Sequence, residues 1–414
     1  TRSTIDQVYE AARVEEVIGD FVVLKKSGSN FKGLSPFSQE RTPSFMVSPV
    51  KQIWKDFSSG KGGNVVAFLM EHEHFTYPEA IRFLANKYNI EIEETEQSHE
   101  EKEKANARES LYLVNQFAQE SFTQDLWEFS EGKAIGLSYF RERGFTDEII
   151  RLFSLGYASE QRDRFYKKAT KAGYAENYIV ETGLIIKNER GAVDRFRGRV
   201  IFPIRSMAGR IQGFGGRILS ATLKTAKYIN SPESEVYHKS KVLYGMFEAK
   251  KAIAKEDICY LVEGYTDVIQ MFQQGIENVV SSSGTALTPE QIRLIRRLTP
   301  NIVVLFDGDS AGLRAAIRGI DLILEQGMNV RVCSFPEGED PDSFSKSHTK
   351  EEISKYLKES ARDFIQFKTD LLLQESGNDP VKKANTVREI VKSISKIPDA
   401  IQQEIYLKQC ASLM

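Results

Sequence analysis

Three short acidic runs carry the strongest chemical signal in this sequence: Glu263 before Gly264, Asp307-Gly308-Asp309, and Asp340 with Asp342 behind Gly338-Glu339. Each lies past the end of a predicted parallel strand, respectively Ile258 to Val262, Ile302 to Phe306 and Val330 to Phe335. Carboxylates gathered in one crevice repel one another, so a site built from them is relieved by a divalent cation. Hard oxygen donors without His or Cys favour Mg²⁺ or Mn²⁺. Taken singly, Asp and Gly are common turn formers and helix caps. Three such runs at successive strand ends carry more weight, because ligand sites of open α/β sheets collect at the carboxyl ends of the strands.

The elements that must position these acids follow from the pattern around them. Apolar strands at Ile258 to Val262, Val279-Val280, Ile302 to Phe306 and Val330 to Cys333 alternate with helical segments at Asp267 to Gln274, Pro289 to Leu298 and Ala311 to Glu325. That alternation predicts a parallel sheet buried on both faces. Immediately upstream, Lys187 to Lys255 holds fifteen Lys or Arg against five Asp or Glu, net +10 on a chain of net −2. A basic groove beside an acidic crevice suits a polyanion and a triphosphate with metals beyond them. Arg195, Arg197 and Arg199 alternate, which on a strand would place three guanidiniums on one face. Val200 to Ile204 and Ile211 to Gly216, separated by Ala208-Gly209, read as a hairpin. Lys227, Lys239 and Lys241 stand among Tyr228, Asn230 and Tyr237, mixing charge with rings able to stack on bases.

The rest of the chain divides by composition. With 414 residues, 41% hydrophobic and 28% charged, it has material for about three domains and no apolar run near the roughly 18 residues of a membrane span. Thr1-Arg2-Ser3-Thr4 opens without an apolar signal region, so the cytoplasm is the default location. Cys259, Cys333 and Cys410 are far apart in apolar or helical contexts and read as buried thiols. At the amino end, a helix from Ser3 to about Ile18 precedes strands at Phe21 to Leu24 and Phe31 to Leu34, with a turn at Ser27 to Asn30. Strands near Ser44 to Val47 and Gln52 to Lys55 complete a β-meander, and Gly62-Gly63-Asn64 opens an apolar helix. Glu91 to Glu103 has seven Glu and one Lys, too polar to bury a face, and reads as a linker or exposed helical tether. Beyond about residue 350 the pattern is helical throughout.

Leu261-Val262-Glu263-Gly264-Tyr265-Thr266-Asp267 together with Phe306-Asp307-Gly308-Asp309-Ser310-Ala311-Gly312 resembles the Toprim motifs, in a context that resembles bacterial DNA primases of the DnaG type. Asp194 to Ile204, Gly213 to Arg217, Lys227 to Glu233 and His238 to Gly245 resemble that family's polymerase-domain signatures, so the likeness covers nearly the whole chain. The resemblance implies a multidomain α/β protein: a zinc-ribbon-like DNA-binding domain over 1–90, a charged linker over 91–109, and a basic α+β subdomain of the RNA polymerase domain over 110–256. A Toprim subdomain over 257–345 and a helical subdomain over 346–414 would follow, with the C-terminal helicase-binding domain absent. It further implies synthesis of short RNA primers on single-stranded DNA during replication, in the primosome at the fork of a bacterial cell. Ribonucleoside triphosphates would be the substrates, an RNA–DNA hybrid the product and the replicative helicase the partner; no membrane is involved. Asp307 and Asp309 become the first metal ligands, and Glu263 a ligand or proton-transfer group. Asp340 and Asp342 are weaker ligand candidates, while Arg195, Arg197, Arg199, Lys227, Tyr228, Asn230, Lys239 and Lys241 would hold nucleotide and DNA.

One departure stands out against the family pattern. Gly28 to Phe31, Arg41 to Phe45 and Gly62 to Val65 resemble the family's zinc ribbon, but at the C-x2-H and C-x2-C positions stand Ser35, Ser38, Asp56 and Ser59. Hydroxyls and one carboxylate make a poor zinc site, so no structural zinc is expected. His72 and His74, adjacent but one on a helix, would point apart. Two other readings stand beside the primase. One is another Toprim enzyme, a topoisomerase or nuclease; the other is a non-catalytic single-stranded-DNA-binding scaffold of the replisome, against which a self-repelling carboxylate site argues.

Overall fold

The structure is a computed structural model describing residues 2–38, 40–73, 75–92, 99–189, 191–219, 226–284, 286–306, 319–369 and 380–413. Two compact units divide the chain between Glu103 and Lys104, at the end of the acidic segment. No helix among the described residues is long and apolar enough to cross a membrane.

The first unit is a five-stranded antiparallel meander, β1 (Lys25–Ser27), β2 (Asn30–Gly33), β3 (Phe45–Ser48), β4 (Ile53–Asp56) and β5 (Gly62–Gly63), in that spatial order. Gly28, at φ 64°, makes the tight turn that pairs Ser27 with Asn30. Alternate residues Phe45, Val47 and Trp54 face a core shared with helix Val65–His72. Asn64 starts that helix by accepting a hydrogen bond from the Ala67 N–H at 2.9 Å. Trp54 stacks on Phe45 and Phe37, and its Nε1 donates to the Asn64 carbonyl at 2.9 Å, so the ring buries no unmatched donor. Two expectations are corrected. The amino-terminal helix is two helices, Arg2–Ala11 and Val14–Gly19, because Arg13 is extended so that Ala12 and Val14 both enter the core. Residues 21–24 are not a strand: the Gly28 turn registers only Lys25–Ser27 against β2.

The second unit opens within helix His99–Glu128, which is followed by a π-helical stretch Gly132–Leu137 whose first glycine lies against the Asp125 backbone, where a Cβ has no room. A four-stranded antiparallel sheet follows in the order β11 (Tyr228–Asn230), β10 (Ile211–Ile218), β9 (Arg199–Arg205), β6 (Gly156–Ala158); β9 and β10 form the expected hairpin. A separate hairpin joins β7 (Ile185–Asn188) to β8 (Gly191–Asp194). Asp194 ends β8 buried and accepts hydrogen bonds from the N–H groups of Phe165 and Tyr166, the first turn of helix Arg164–Lys171; burial pushes its carboxyl up to about 6.

The glycines of β10 have a packing reason. A Cβ on Gly213 would meet the Tyr237 ring at 2.9 Å, on Gly215 the Tyr265 ring at 2.4 Å, and on Gly216 the Phe196 ring at 2.6 Å. Bare backbone lets three rings lie directly on one strand. Replacing Gly215 with Ala is expected to destabilise the second unit by about 1–3 kcal/mol through overpacking, read as a lower midpoint in denaturant melts. An unchanged midpoint would contradict this packing.

The third layer is the α/β sheet in the order β13 (Val279–Ser281), β12 (Cys259–Val262), β14 (Asn301–Phe306), β15 (Asn329–Ser334), β16 (Arg362–Asp363). The first four strands are parallel and β16 is antiparallel at the edge. Helices Tyr265–Gln273 and Pro289–Arg296, with helical residues 319–325, connect them. Ile302 to Phe306 are all buried, as a parallel strand covered on both faces requires. All three cysteines are buried. Helices Lys350–Ser360, Pro380–Ile394 and Ala400–Leu413 end the chain.

Candidate metal and nucleic-acid site at the carboxyl edge of the sheet

The acids fall at the strand ends, with unequal surroundings. Glu263 leaves β12 exposed, and the next N–H, that of Gly264, donates to Asp267 at 2.9 Å, starting helix Tyr265–Gln273. Asp307 and Asp309, directly after β14, lie outside the described residues. Past β15, Asp340 is the cap of helix Pro341–Ser347 and accepts from the Ser343 N–H at 2.7 Å, a role that turn chemistry alone explains. Asp342 is buried, with Oδ2 paired to Arg143 and, at 2.9 Å, to Lys346, while Oδ1 is buried without a hydrogen-bond partner. Among the described residues no three His, Cys, Asp or Glu side chains converge on one point. The donor set at this edge, carboxylates with no sulfur or imidazole and one orphaned carboxylate oxygen, suits a hard cation such as Mg²⁺.

A basic and aromatic cluster is tied to the acidic edge at two places. Tyr265, two residues beyond Glu263, stacks on Phe202 at 4.9 Å, and its hydroxyl lies 2.7 Å from the Asn230 amide. In the amide orientation that matches donors with acceptors, the Asn230 oxygen accepts from Lys239 Nζ at 3.2 Å. At the second place, Arg143 holds Asp342 and lies 5.9 Å from the Tyr139 ring centre. Arg217 sits over the same ring at 5.0 Å and donates to the Tyr228 hydroxyl at 3.2 Å. Burial pushes the Tyr139 phenol up to about 12, so it stays protonated beside these cations. Lys227 and Lys241 are exposed nearby in sequence.

Several sequence expectations change here. Arg195, Arg197 and Arg199 do not share a strand face: residues 195–198 form a turn closed by Gly198 at φ 66°, and only Arg199 enters β9. Arg199 points inward and is buried, donating to the carbonyls of Gly216, Lys227 and Ala226, so it fixes the chain around β10 and β11. Arg195 is half-buried and Arg197 exposed. Tyr237 is buried over Gly213 and offers no stacking face. Arg143, Tyr139 and Arg217 were not singled out; Arg217 closes the Gly-rich β10 motif, whereas Arg143 ends a short amphipathic helix with nothing local to mark it.

In the first unit, the four zinc-ligand positions come together. Ser35 Oγ donates to Asp56 at 2.8 Å, Ser59 Oγ donates to the same carboxylate, and Ser38 Oγ meets Ser58 Oγ at 2.6 Å. Burial alone would push Asp56 up, but the hydrogen bonds from Ser59, Ser35 and Ser58 hold it below the usual carboxylate range. His72 stacks on Phe68 at 5.1 Å; His74 lies outside the described residues. The opposite face of the meander is open: Asn30, Met46, Lys51, Ile53, Lys55 and Phe57 line a shallow groove in which Phe57 is 68% exposed.

Comparison with known proteins gives four family matches along the chain. Residues 1–100 match a family described as CHC2 zinc finger, 122–250 one described as DNA primase catalytic core, N-terminal domain, and 260–345 one described as Toprim-like. Residues 365–414 match the DnaB-helicase binding domain of primase, which corrects the expectation that the helicase-binding part is absent. Helical periodicity alone cannot separate such a domain from any other helical subdomain. The chain is 38% identical over 422 residues to a DNA primase of Halalkalibacterium halodurans, covering 99% of this chain and 68% of that protein. It is 37% identical to a DNA primase of Clostridium acetobutylicum, covering 98% and 66%. The chain thus spans about two thirds of the length of these relatives. A crystal structure of the zinc-binding and RNA polymerase domains of the Aquifex aeolicus primase superposes with a TM-score of 0.65 at 32% identity, covering 99% of this chain and 96% of that one. A DnaG primase catalytic domain bound to single-stranded DNA superposes with a TM-score of 0.66 at 31% identity, covering 74% and 99%.

Proposed function

This chain belongs to the DnaG-type bacterial DNA primases, and from that premise we propose that it makes short RNA primers on single-stranded DNA by nucleotidyl transfer at the carboxyl edge of its parallel sheet. The observation that supports this reading most is the double tie between acids and cations: Tyr265 beside Glu263 bonds Asn230, which in turn accepts from Lys239, and Asp342 is held by Arg143. A primer 3′-hydroxyl would attack the α-phosphorus of an incoming ribonucleotide, with pyrophosphate leaving. Glu263, Asp307 and Asp309 would hold divalent cations, with the orphaned Oδ1 of Asp342 a further donor and Asp340 acting mainly as a helix cap. A Mg²⁺ or Mn²⁺ ion, when bound, supplies electrostatic stabilisation of the charge developing on the phosphate oxygens.

The chain's own residues do the positioning. Arg217, Lys227, Lys239 and Lys241 offset triphosphate and backbone charge, and Tyr228 presents a half-buried ring beside them. Arg195 and Arg197 reach the template from the turn before β9. In this reading the N-terminal ribbon carries no zinc and meets template DNA through its open sheet face. Replacing Phe57 with Ala is therefore expected to weaken single-stranded DNA binding about five- to a hundredfold, the loss of roughly one stacked base, with unchanged thermal stability. Fluorescence anisotropy with labelled oligonucleotides reads this, and unaltered affinity would move template contact off this face. The helical residues matched at 365–414 make the replicative helicase the proposed partner. Incorporation of labelled ribonucleotides on single-stranded DNA, run beside relaxation of supercoiled plasmid, tests the function: primer products without relaxation support it, and relaxation without primers favours the topoisomerase reading.

A further inference from the structure

The first unit matches a zinc-finger family without zinc's donors, so its loops must be closed by other chemistry. Ser35 follows β2 and Asp56 ends β4, twenty-one residues apart in sequence, and both are buried, Asp56 completely. The lone pairs of the Asp56 carboxylate are filled from all sides. Oδ2 accepts from Ser35 Oγ at 2.8 Å, from Ser59 Oγ, from Ser58 Oγ at 3.2 Å and from the Ser59 N–H at 3.2 Å. Oδ1 shares the one Ser58 Oγ proton, at 3.0 Å, and takes the Ser58 N–H at 3.4 Å, while Ser44 Oγ lies 3.2 Å away and donates mainly to Glu40 Oε2 at 2.5 Å. Ser35 Oγ in turn accepts from the N–H groups of Phe37 and Ser38 at 3.1 and 3.0 Å, which is the turn a metal-binding knuckle would make. Glu40 ties the same loop shut by accepting from the N–H groups of Ser35 and Ser44 at 2.7 and 2.9 Å.

Serine hydroxyls stay protonated and neutral near pH 7, and here those of Ser35, Ser58 and Ser59 are turned to Asp56, with Ser38 paired to Ser58. Zinc would have to break these bonds and gain one carboxylate and three weak oxygen donors in place of thiolates and imidazole. We infer that Asp56 stands in the metal's place as a hydrogen-bonded carboxylate hub, cross-linking residues 35–44 to 56–59, and that the ribbon therefore keeps its fold without any metal. The inference is independent of the polymerase reading, because it concerns only the first unit.

The test uses the full chain. Elemental analysis after expression in zinc-supplemented medium, and hydrogen exchange of β2 to β4 with and without 1,10-phenanthroline or EDTA, are the two readouts. Zinc well below one equivalent after gel filtration, with exchange of β2 to β4 unchanged by chelator, is expected. Asp56→Ala is expected to speed exchange of β3 and β4 amides about ten- to a hundredfold, the loss of several charge-assisted hydrogen bonds. Ser59→Ala, which keeps the hub, is expected to speed it only a few-fold. A Ser35→Cys, Ser38→His, Asp56→Cys, Ser59→Cys combination should bind one zinc and become chelator-sensitive. One equivalent of any metal in the unaltered chain, with chelator raising exchange to the Asp56→Ala level, would overturn the inference. So would unchanged exchange in both Asp56→Ala and Ser59→Ala, or a fourfold variant that binds no zinc.

Discussion

Replacing Asp309 by Asn is expected to lower ribonucleotide incorporation at least a hundredfold while leaving single-stranded DNA affinity within about twofold. The asymmetry follows from what the acid would do. A metal-bound carboxylate acts on charge that develops only in the transition state, and losing one such contact costs several kcal/mol of barrier, about 10²- to 10³-fold in rate. DNA affinity in this account rests instead on cations and rings, Arg217, Lys227, Lys239 and Lys241 with Tyr228, and on the ribbon's open face. Glu263→Gln is expected to lose activity comparably, because its carboxylate stands exposed at the end of β12. Single-turnover incorporation over a titration of Mg²⁺, beside anisotropy measurements of DNA binding, checks both variants. Equal loss of binding and incorporation would make Asp309 part of the DNA-holding surface.

The second large effect is at Arg143. Its side chain and that of Asp342 are 22% and 7% exposed, and their ion pair joins helix Ser138–Glu142 and the residue after it to the segment following β15. Removing one member of a buried pair leaves a charge in a poorly solvating place, which costs about 3–5 kcal/mol. Lys346 remains on Asp342 Oδ2 and keeps Arg143→Ala toward the lower end of that range. Arg143→Ala is therefore expected to destabilise the second unit by about 3 kcal/mol and to impair incorporation. Adding Asp342→Asn should restore most of the stability, since no buried carboxylate is then stranded and Lys346, about a third exposed, can turn to solvent, but not the activity. Denaturant melts of the two variants decide it: a double variant no more stable than Arg143→Ala would mean that the pair is not the source of the loss.

The parallel sheet was legible because β12 and β14 are largely apolar runs, as a strand covered on both faces requires, whereas β15 alternates, with Asn329, Arg331 and Ser334 exposed. The strand-end position of Glu263 came with it. The three arginines show the opposite case. Alternation at 195, 197 and 199 has the period of a strand, but Phe196 is buried, Gly198 takes a positive φ, and the chain turns before β9 begins. Local spacing carries no sign of which Arg will be drawn inside by backbone carbonyls, as Arg199 is. The Arg143–Asp342 pair was invisible for another reason: its members are 199 residues apart, and only the packing of two layers brings them together. Asp340 illustrates a signal that was ambiguous from the start, since an acid two residues after Gly338 and before Pro341 is also what caps a helix. The Ser35, Ser38, Asp56 and Ser59 positions follow from the resemblance to the family's zinc-ligand pattern, while the use of Ser44 and Ser58 on the same carboxylate needed the fold of β3 against β4.

The central claim, DNA-templated RNA synthesis by this chain, is tested most directly by resolving the products formed from ribonucleoside triphosphates on single-stranded DNA. The account predicts short, alkali-labile oligonucleotides whose sequence is complementary to the template and whose formation stops when Mg²⁺ and Mn²⁺ are withdrawn. Intact DNA binding with no such products on varied templates, in the presence of divalent cation and the replicative helicase, would contradict it and leave a DNA-binding scaffold.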